Sequence, residues 1–123
     1  MRSRWHHEAR SAIGQQVFGD VAPDFADLTD RVLFDEIWER PGLSPRDKSM
    51  ITVSALVALY RVNELPPHLE KALSNGVSLD ELKDLITHLA FYAGWPTAST
   101  ALGALRAVMQ KSDASKKQQG MDK

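Results

Sequence analysis

Four side chains have the types and positions to do chemistry together: Glu64, His68 and His88, with Arg46 as a further member. Two imidazoles and a carboxylate form a general acid–base set, because histidine exchanges protons near neutral pH and a carboxylate can orient it. A guanidinium adds a fork that grips a carboxylate through two parallel hydrogen bonds. Glu64 and His68 are four residues apart with Pro66 and Pro67 between them, a spacing that describes a helix entrance more than a regular i, i+4 pair. Each residue also has a plain structural reading. A histidine at the edge of an apolar stripe can be a hydrogen-bonded packing residue, and Glu64 can be a helix N-terminal charge favoured by the macrodipole. Arg46 can pair with Asp47 or with an acid on a neighbouring helix. Two histidines and a glutamate match the ligand count of a non-haem metal site, but no His-Glu-x-x-His signature is present, so no metal is expected.

The elements that must hold these residues read as helices. No segment alternates apolar and polar residues with the Val, Ile and Thr enrichment of strands. The punctuation predicts helices at roughly 4–17, from Pro23 to about 40, at 45–61 behind the Ser44-Pro45 start, and from Pro66-Pro67 to Asn75-Gly76. Two more are expected at about 79–93, opened by the capping box Ser78…Glu81, and at about 97–110 after the break Gly94-Trp95-Pro96. The 45–61 helix is apolar almost all round and must be covered on every side, which in so short a chain can require another subunit. On the 79–93 helix, His88 falls about 120° from the centre of the Leu79, Leu82, Leu85, Ile86, Leu89 stripe. Its face turns aromatic at Phe91 and Tyr92, which implies a second buried contact. Trp38 and Trp95 read as core or interface anchors.

At 123 residues the chain is of single-domain size, expected as one helical domain over 1–110 with a disordered polar tail over 111–123. It has no cysteine, which excludes disulfides, thiolate metal sites and thiol redox cycles. Fifteen basic against sixteen acidic residues give no field for nucleic acid, so none is expected as a partner. The arginines of the N-terminus precede no apolar stretch, and no run approaches membrane-spanning length; no membrane partner and a cytoplasmic location are expected.

The segments Glu36-Ile37-Trp38-Glu39-Arg40-Pro41-Gly42-Leu43, Arg46-Asp47-Lys48-Ser49-Met50-Ile51-Thr52, Asn63-Glu64-Leu65-Pro66-Pro67-His68, Ala72–Ser78 and Thr87-His88-Leu89-Ala90-Phe91-Tyr92-Ala93-Gly94-Trp95-Pro96 resemble the carboxymuconolactone decarboxylase family in order and spacing. The resemblance implies an all-α, AhpD-like fold of about six helices, assembled as a homotrimer or homohexamer with sites between subunits. The peroxidase branch of that superfamily carries a Cys-x-x-Cys four residues before a histidine. Aligned on His68, those cysteine positions are Arg61 and Glu64, so the thiol route is chemically closed.

The decarboxylase branch implies a cofactor-free carbon–carbon lyase acting on 4-carboxymuconolactone, or on a similar small lactone or carboxylate, in aromatic-compound catabolism. Under that reading His68 or His88 donates to an oxyanion or protonates carbon, Glu64 orients a histidine, and Arg46, Tyr92 and Trp95 bind substrate. The alternatives are a related lyase or isomerase with another substrate, an AhpD-like protein labelled peroxidase or antioxidant without its cysteine pair, and a non-catalytic oligomeric binding protein.

Overall fold

The computed structural model describes residues 8–121, with side chains described through residue 118. The described residues form six α-helices and one π-helical stretch, with no strand. They are α1 (Ile13–Phe18), α2 (Pro23–Leu28), a π segment (Thr29–Ile37), α3 (Pro45–Ala58), α4 (Leu65–Ser74), α5 (Leu79–Ala93) and α6 (Trp95–Met121). The chain divides into two compact units that meet in sequence at Pro45 and Arg46.

The first unit is held by two buried aspartates. Asp30 accepts hydrogen bonds from Ser11 Oγ (2.7 Å), Gly14 N (2.7 Å) and Gln15 N (3.1 Å). Asp35 accepts from Arg10 N (2.6 Å) and Ser11 N (3.1 Å). In an α-helix two residues five apart lie about 140° from each other, whereas i→i+5 bonding brings them close to one full turn. The π geometry therefore keeps both carboxylates on one face, aimed at residues 10–15. Asp30 fills first-turn donors of α1 that Ala12, which makes no side-chain cap, leaves open. Gly14 is needed at this approach, since a Cβ there would lie 2.4 Å from the Ala26 carbonyl oxygen.

The first helix expected at 4–17 is accordingly shorter. It starts at Ile13, because the amides of Arg10 and Ser11 bind Asp35 rather than a helical carbonyl; residues 4–7 lie outside the described residues. The second helix starts at Pro23 as read but widens into the π segment at Thr29.

The second unit carries the hydrophobic core. Val53 and Val57 of α3, Leu65 and Leu69 of α4, Leu82 and Ile86 of α5, and Leu105 of α6 are each 2% exposed or less. At one edge of this core, buried Ser49 Oγ accepts from Asn75 Nδ2 (3.0 Å), tying α3 to the end of α4. Helix α4 stops in a Schellman arrangement, with Val77 N bonded to Ala72 O (2.9 Å), Gly76 N to Leu73 O (3.2 Å) and Gly76 at φ +97°. Helix α5 opens on the capping box that was read from its sequence: Glu81 N donates to Ser78 Oγ (3.1 Å) and Ser78 N to Glu81 Oε1 (3.0 Å).

Several expectations for this unit change. Helix α3 ends at Ala58, three residues early, and Ser49, Val53 and Val57 are its buried residues while Ile51 and Ala55 are exposed. Helix α6 starts at Trp95, since proline is tolerated in a first turn and the break is Gly94 alone, at φ +109°. Trp95 is 67% exposed, not a core anchor. Beyond Gln110 the helix continues through Met121, with residues 111–118 exposed. Lysine, glutamine and alanine sustain a helix without burying anything, so a composition unfit for a core still permits this conformation. Lys111 Nζ pairs with Glu70 Oε1 at 3.0 Å.

Tyr60 ends α3 in the left-handed region, at φ +59°. Its amide bonds Val57 O (3.1 Å), and Arg61 N bonds Leu56 O (2.8 Å), the pattern that glycine usually closes. Tyr60→Gly is expected to stabilise the protein by about 0.5 kcal/mol, because relief of left-handed strain slightly exceeds the added freedom of the unfolded chain. A denaturant midpoint that falls in this variant would contradict it.

Candidate active site

Two helix faces in the second unit form a groove. Along α3, Arg46, Met50 and Ser54 recur every four residues; along α5, Glu81, Asp84 and His88 recur at three and four. The groove between them has a volume of about 680 Å³. Met50, Ile51, Leu85 and Leu89 supply its apolar walls, and Ser54, Glu81, Asp84 and His88 its polar groups. Ser54 Oγ donates to Met50 O (2.7 Å), so its hydroxyl proton is engaged.

Arg46 stands at one edge of this groove. Its Nη2 is ion-paired with Glu81 Oε2, Asp47 Oδ1 lies 3.9 Å from Nη1, and Nη1 contacts Met50 Sδ at 3.5 Å. The two default partners weighed for it, Asp47 and an acid on another helix, are thus both present, with Glu81 the closer. His88 is exposed, and its ring lies against Tyr92 with centroids 5.0 Å apart and planes tilted 32°. Phe91 and Trp95 meet edge to face at 5.9 Å. Phe91, Tyr92 and Trp95 are 75%, 80% and 67% exposed, so among the described residues nothing covers the aromatic end of α5.

Glu64 and His68 belong to the start of α4. Glu64 takes the N-cap position without a side-chain cap bond, and its backbone is already helical. His68, half-buried in the first turns, has its pKa lowered from 6.5: burial disfavours the imidazolium and Lys71 repels it, while Glu64 pulls the other way. The imidazole of His68 is therefore neutral at pH 7, able to donate one N–H and accept at the other nitrogen.

The structure thus places His88 in the groove lining with Tyr92 against it, sets Arg46 on the lining residues Glu81 and Met50 at the groove's edge, and gathers Glu64 and His68 at the head of α4; Arg46, Glu64 and His68 are not themselves lining residues. Among the described residues, no three His, Asp or Glu side chains converge within one chain as a metal-holding group. Glu81 and Asp84 were not among the candidates. Their signal lay in the polar stripe 81, 84, 88 and 92 of α5, which the capping role of Glu81 masked.

Comparison with known proteins bears on this geometry. Residues 23–107 match the family described as "Carboxymuconolactone decarboxylase family", a stretch that takes in all six candidate residues. The chain is 42% identical over 83 residues to the 4-carboxymuconolactone decarboxylase of Acinetobacter baylyi, covering 68% of this chain and 62% of that protein. It is 32% identical over 66 residues to the nitrosuccinic acid decarboxylase npaB of Metarhizium robertsii, covering 54% and 46%. The matched parts are less than two thirds of either relative's length. With a family match running from α2 into α6, the chain belongs to the carboxymuconolactone decarboxylase family.

Proposed function

We propose that this chain is a decarboxylase of a small lactone or carboxylate, 4-carboxymuconolactone being the first substrate to test. The observation that carries this reading is the family match over 23–107, supported by two relatives that are both named decarboxylases. The lack of cysteine directs the chemistry to acid–base groups.

The reaction needs little from the protein except preorganised polar groups. When the bond to the departing carboxylate breaks, its electron pair moves through the unsaturated lactone onto the ring carbonyl oxygen, and carbon dioxide leaves. The enolate then takes a proton on carbon. The substrate is its own electron sink, and no cofactor enters the scheme. In nitrosuccinate a nitro group can accept the electron pair in the same way.

Neutral His68 suits the role of an N–H donor to the developing oxyanion, since it can stabilise charge without surrendering its proton early. Glu64, whose charge acts on His68, orients that imidazole. His88 delivers the proton to carbon, Arg46 holds a second carboxylate, and Tyr92 and Trp95 cover the ring. The exposure of Phe91, Tyr92 and Trp95 supports a homotrimer or homohexamer in which a second copy covers this end of α5. No described helix is long and apolar enough to cross a membrane; a cytoplasmic location is part of the proposal.

The test is release of carbon dioxide from 4-carboxymuconolactone by the purified chain, with loss of substrate absorbance in step. Ligand uptake without turnover on any lactone would favour a binding protein instead.

A further inference from the structure

Glu81 is used twice, with one partner on each carboxylate oxygen. Its Oε1 accepts the Ser78 amide proton at 3.0 Å, closing the capping box, while its Oε2 is ion-paired with Arg46. The first contact pins the carboxylate to the start of α5. The second joins that fixed charge to a long, flexible side chain reaching over from the first turn of α3, 35 positions earlier. Arg46 and Glu81 side chains are 38% and 39% exposed, so solvent screens their attraction and the pair is weak enough to open. Glu81 and Asp84 are the charged groups of the groove lining, and both are acids. A carboxylate arriving there meets a guanidinium whose charge is already offset.

We infer that Glu81 is a positioning residue that holds Arg46 at the groove and competes with the substrate carboxylate for it. The inference rests on the reading of the groove as a substrate site, and names the group that sets its affinity for anions. Binding is then an exchange: the Arg46–Glu81 contact opens, the ligand carboxylate takes the guanidinium fork, and Glu81 remains on the Ser78 amide. Ligands with an apolar ring gain contacts with Met50, Ile51, Leu85 and Leu89 that offset this exchange. Small inorganic anions have no such gain, which keeps Arg46 from being occupied by whatever anion is abundant.

Glu81→Gln tests this in the full-length chain. Glutamine retains an oxygen for the Ser78 amide and so preserves the start of α5, which helix content and thermal unfolding would verify. The probe is 2-furoate, a ring carboxylate small enough for a 680 Å³ groove, followed by titration calorimetry. Relative to the parent, Glu81→Gln is expected to bind furoate about two- to fivefold tighter at low ionic strength. The gain is expected to shrink as salt is added. In an Arg46→Gln background the same substitution is expected to gain much less, because the competition it removes no longer exists; an effect on folding alone would not show this coupling. Equal or weaker binding by Glu81→Gln, with Arg46→Gln still losing affinity, would overturn the inference and leave the site reading standing. Unchanged binding by Arg46→Gln would overturn both.

Discussion

Alanine at His68 is expected to lower decarboxylation by about 100-fold, and alanine at His88 by a similar factor, the usual worth of one positioned proton-transfer or oxyanion group. The two losses are expected to combine to less than their product if both groups act on the same enolate. His68→Gln separates the roles. An amide N–H replaces the imidazole N–H, so a hydrogen-bond donor is kept where a proton donor is lost. Recovery of about tenfold over the alanine variant is the expected result for an oxyanion donor. If His68 were the acid, glutamine would be as poor as alanine.

The depressed pKa of His68 adds a check that needs no assignment of the step. As the pKa of His68 lies below 6.5, kcat/KM is expected to change little between pH 7.5 and 8.5 as far as this residue is concerned. An acid that had to be charged would give a rate falling through that range. Stability gives the same sign independently. Below 6.5 the unfolded chain binds a proton that the folded chain resists, so folding weakens as pH falls from 6.5 through the lower folded-state pKa. His68→Gln is expected to lose less melting temperature than the parent between pH 6.5 and 5. Identical acid-side slopes for the two proteins would contradict a depressed His68.

The second large effect concerns Asp30, in the first unit. Its carboxylate is 1% exposed and accepts from Ser11, Gly14 and Gln15. Asp30→Ala strands these three donors together and is expected to cost about 2–3 kcal/mol. The damage is expected to be local. Among the described residues, those buried in the first unit are Gly14, Ala26, Asp30 and Asp35, with no large apolar side chain among them, so the Asp30 bonds carry much of the attachment of α1 to the π segment. Amide hydrogen exchange should show residues 11–18 losing protection while Leu82 and Ile86 in α5 keep theirs. Uniform loss across both units would refute this.

Asp30 also has a pH signature. Burial alone would raise its pKa, but the bonds from Ser11, Gly14 and Gln15 outweigh burial and hold it below 3.8. Its contribution is therefore complete above 3.8 and lost as pH falls through the lower folded-state value.

What could be read from the sequence was local. Pro23 and Pro45 begin helices, Asn75-Gly76 ends one, and Ser78 with Glu81 opens another, because each signal acts through the backbone of three or four neighbouring residues. The all-α character followed from the same periodicities, and the candidate residues on α3, α4 and α5 could be named from type and spacing. Recognition of the family drew on the same short motifs.

Tertiary structure alone decided three things. Five-residue spacing of Asp30 and Asp35 carries no helix signal until residues 10–15 present amides for both carboxylates to bind, and then the π turn becomes the economical geometry. Arg46 and Glu81 are 35 positions apart, so only the packing of α3 and α5 on a common core shows which acid the guanidinium meets. His68 and His88 are alike on paper. Half-burial and the nearby Lys71 lower the pKa of His68, while His88 stands exposed at the groove against Tyr92. Each of these depends on the dielectric and the partners that distant segments supply, and no window of sequence contains them.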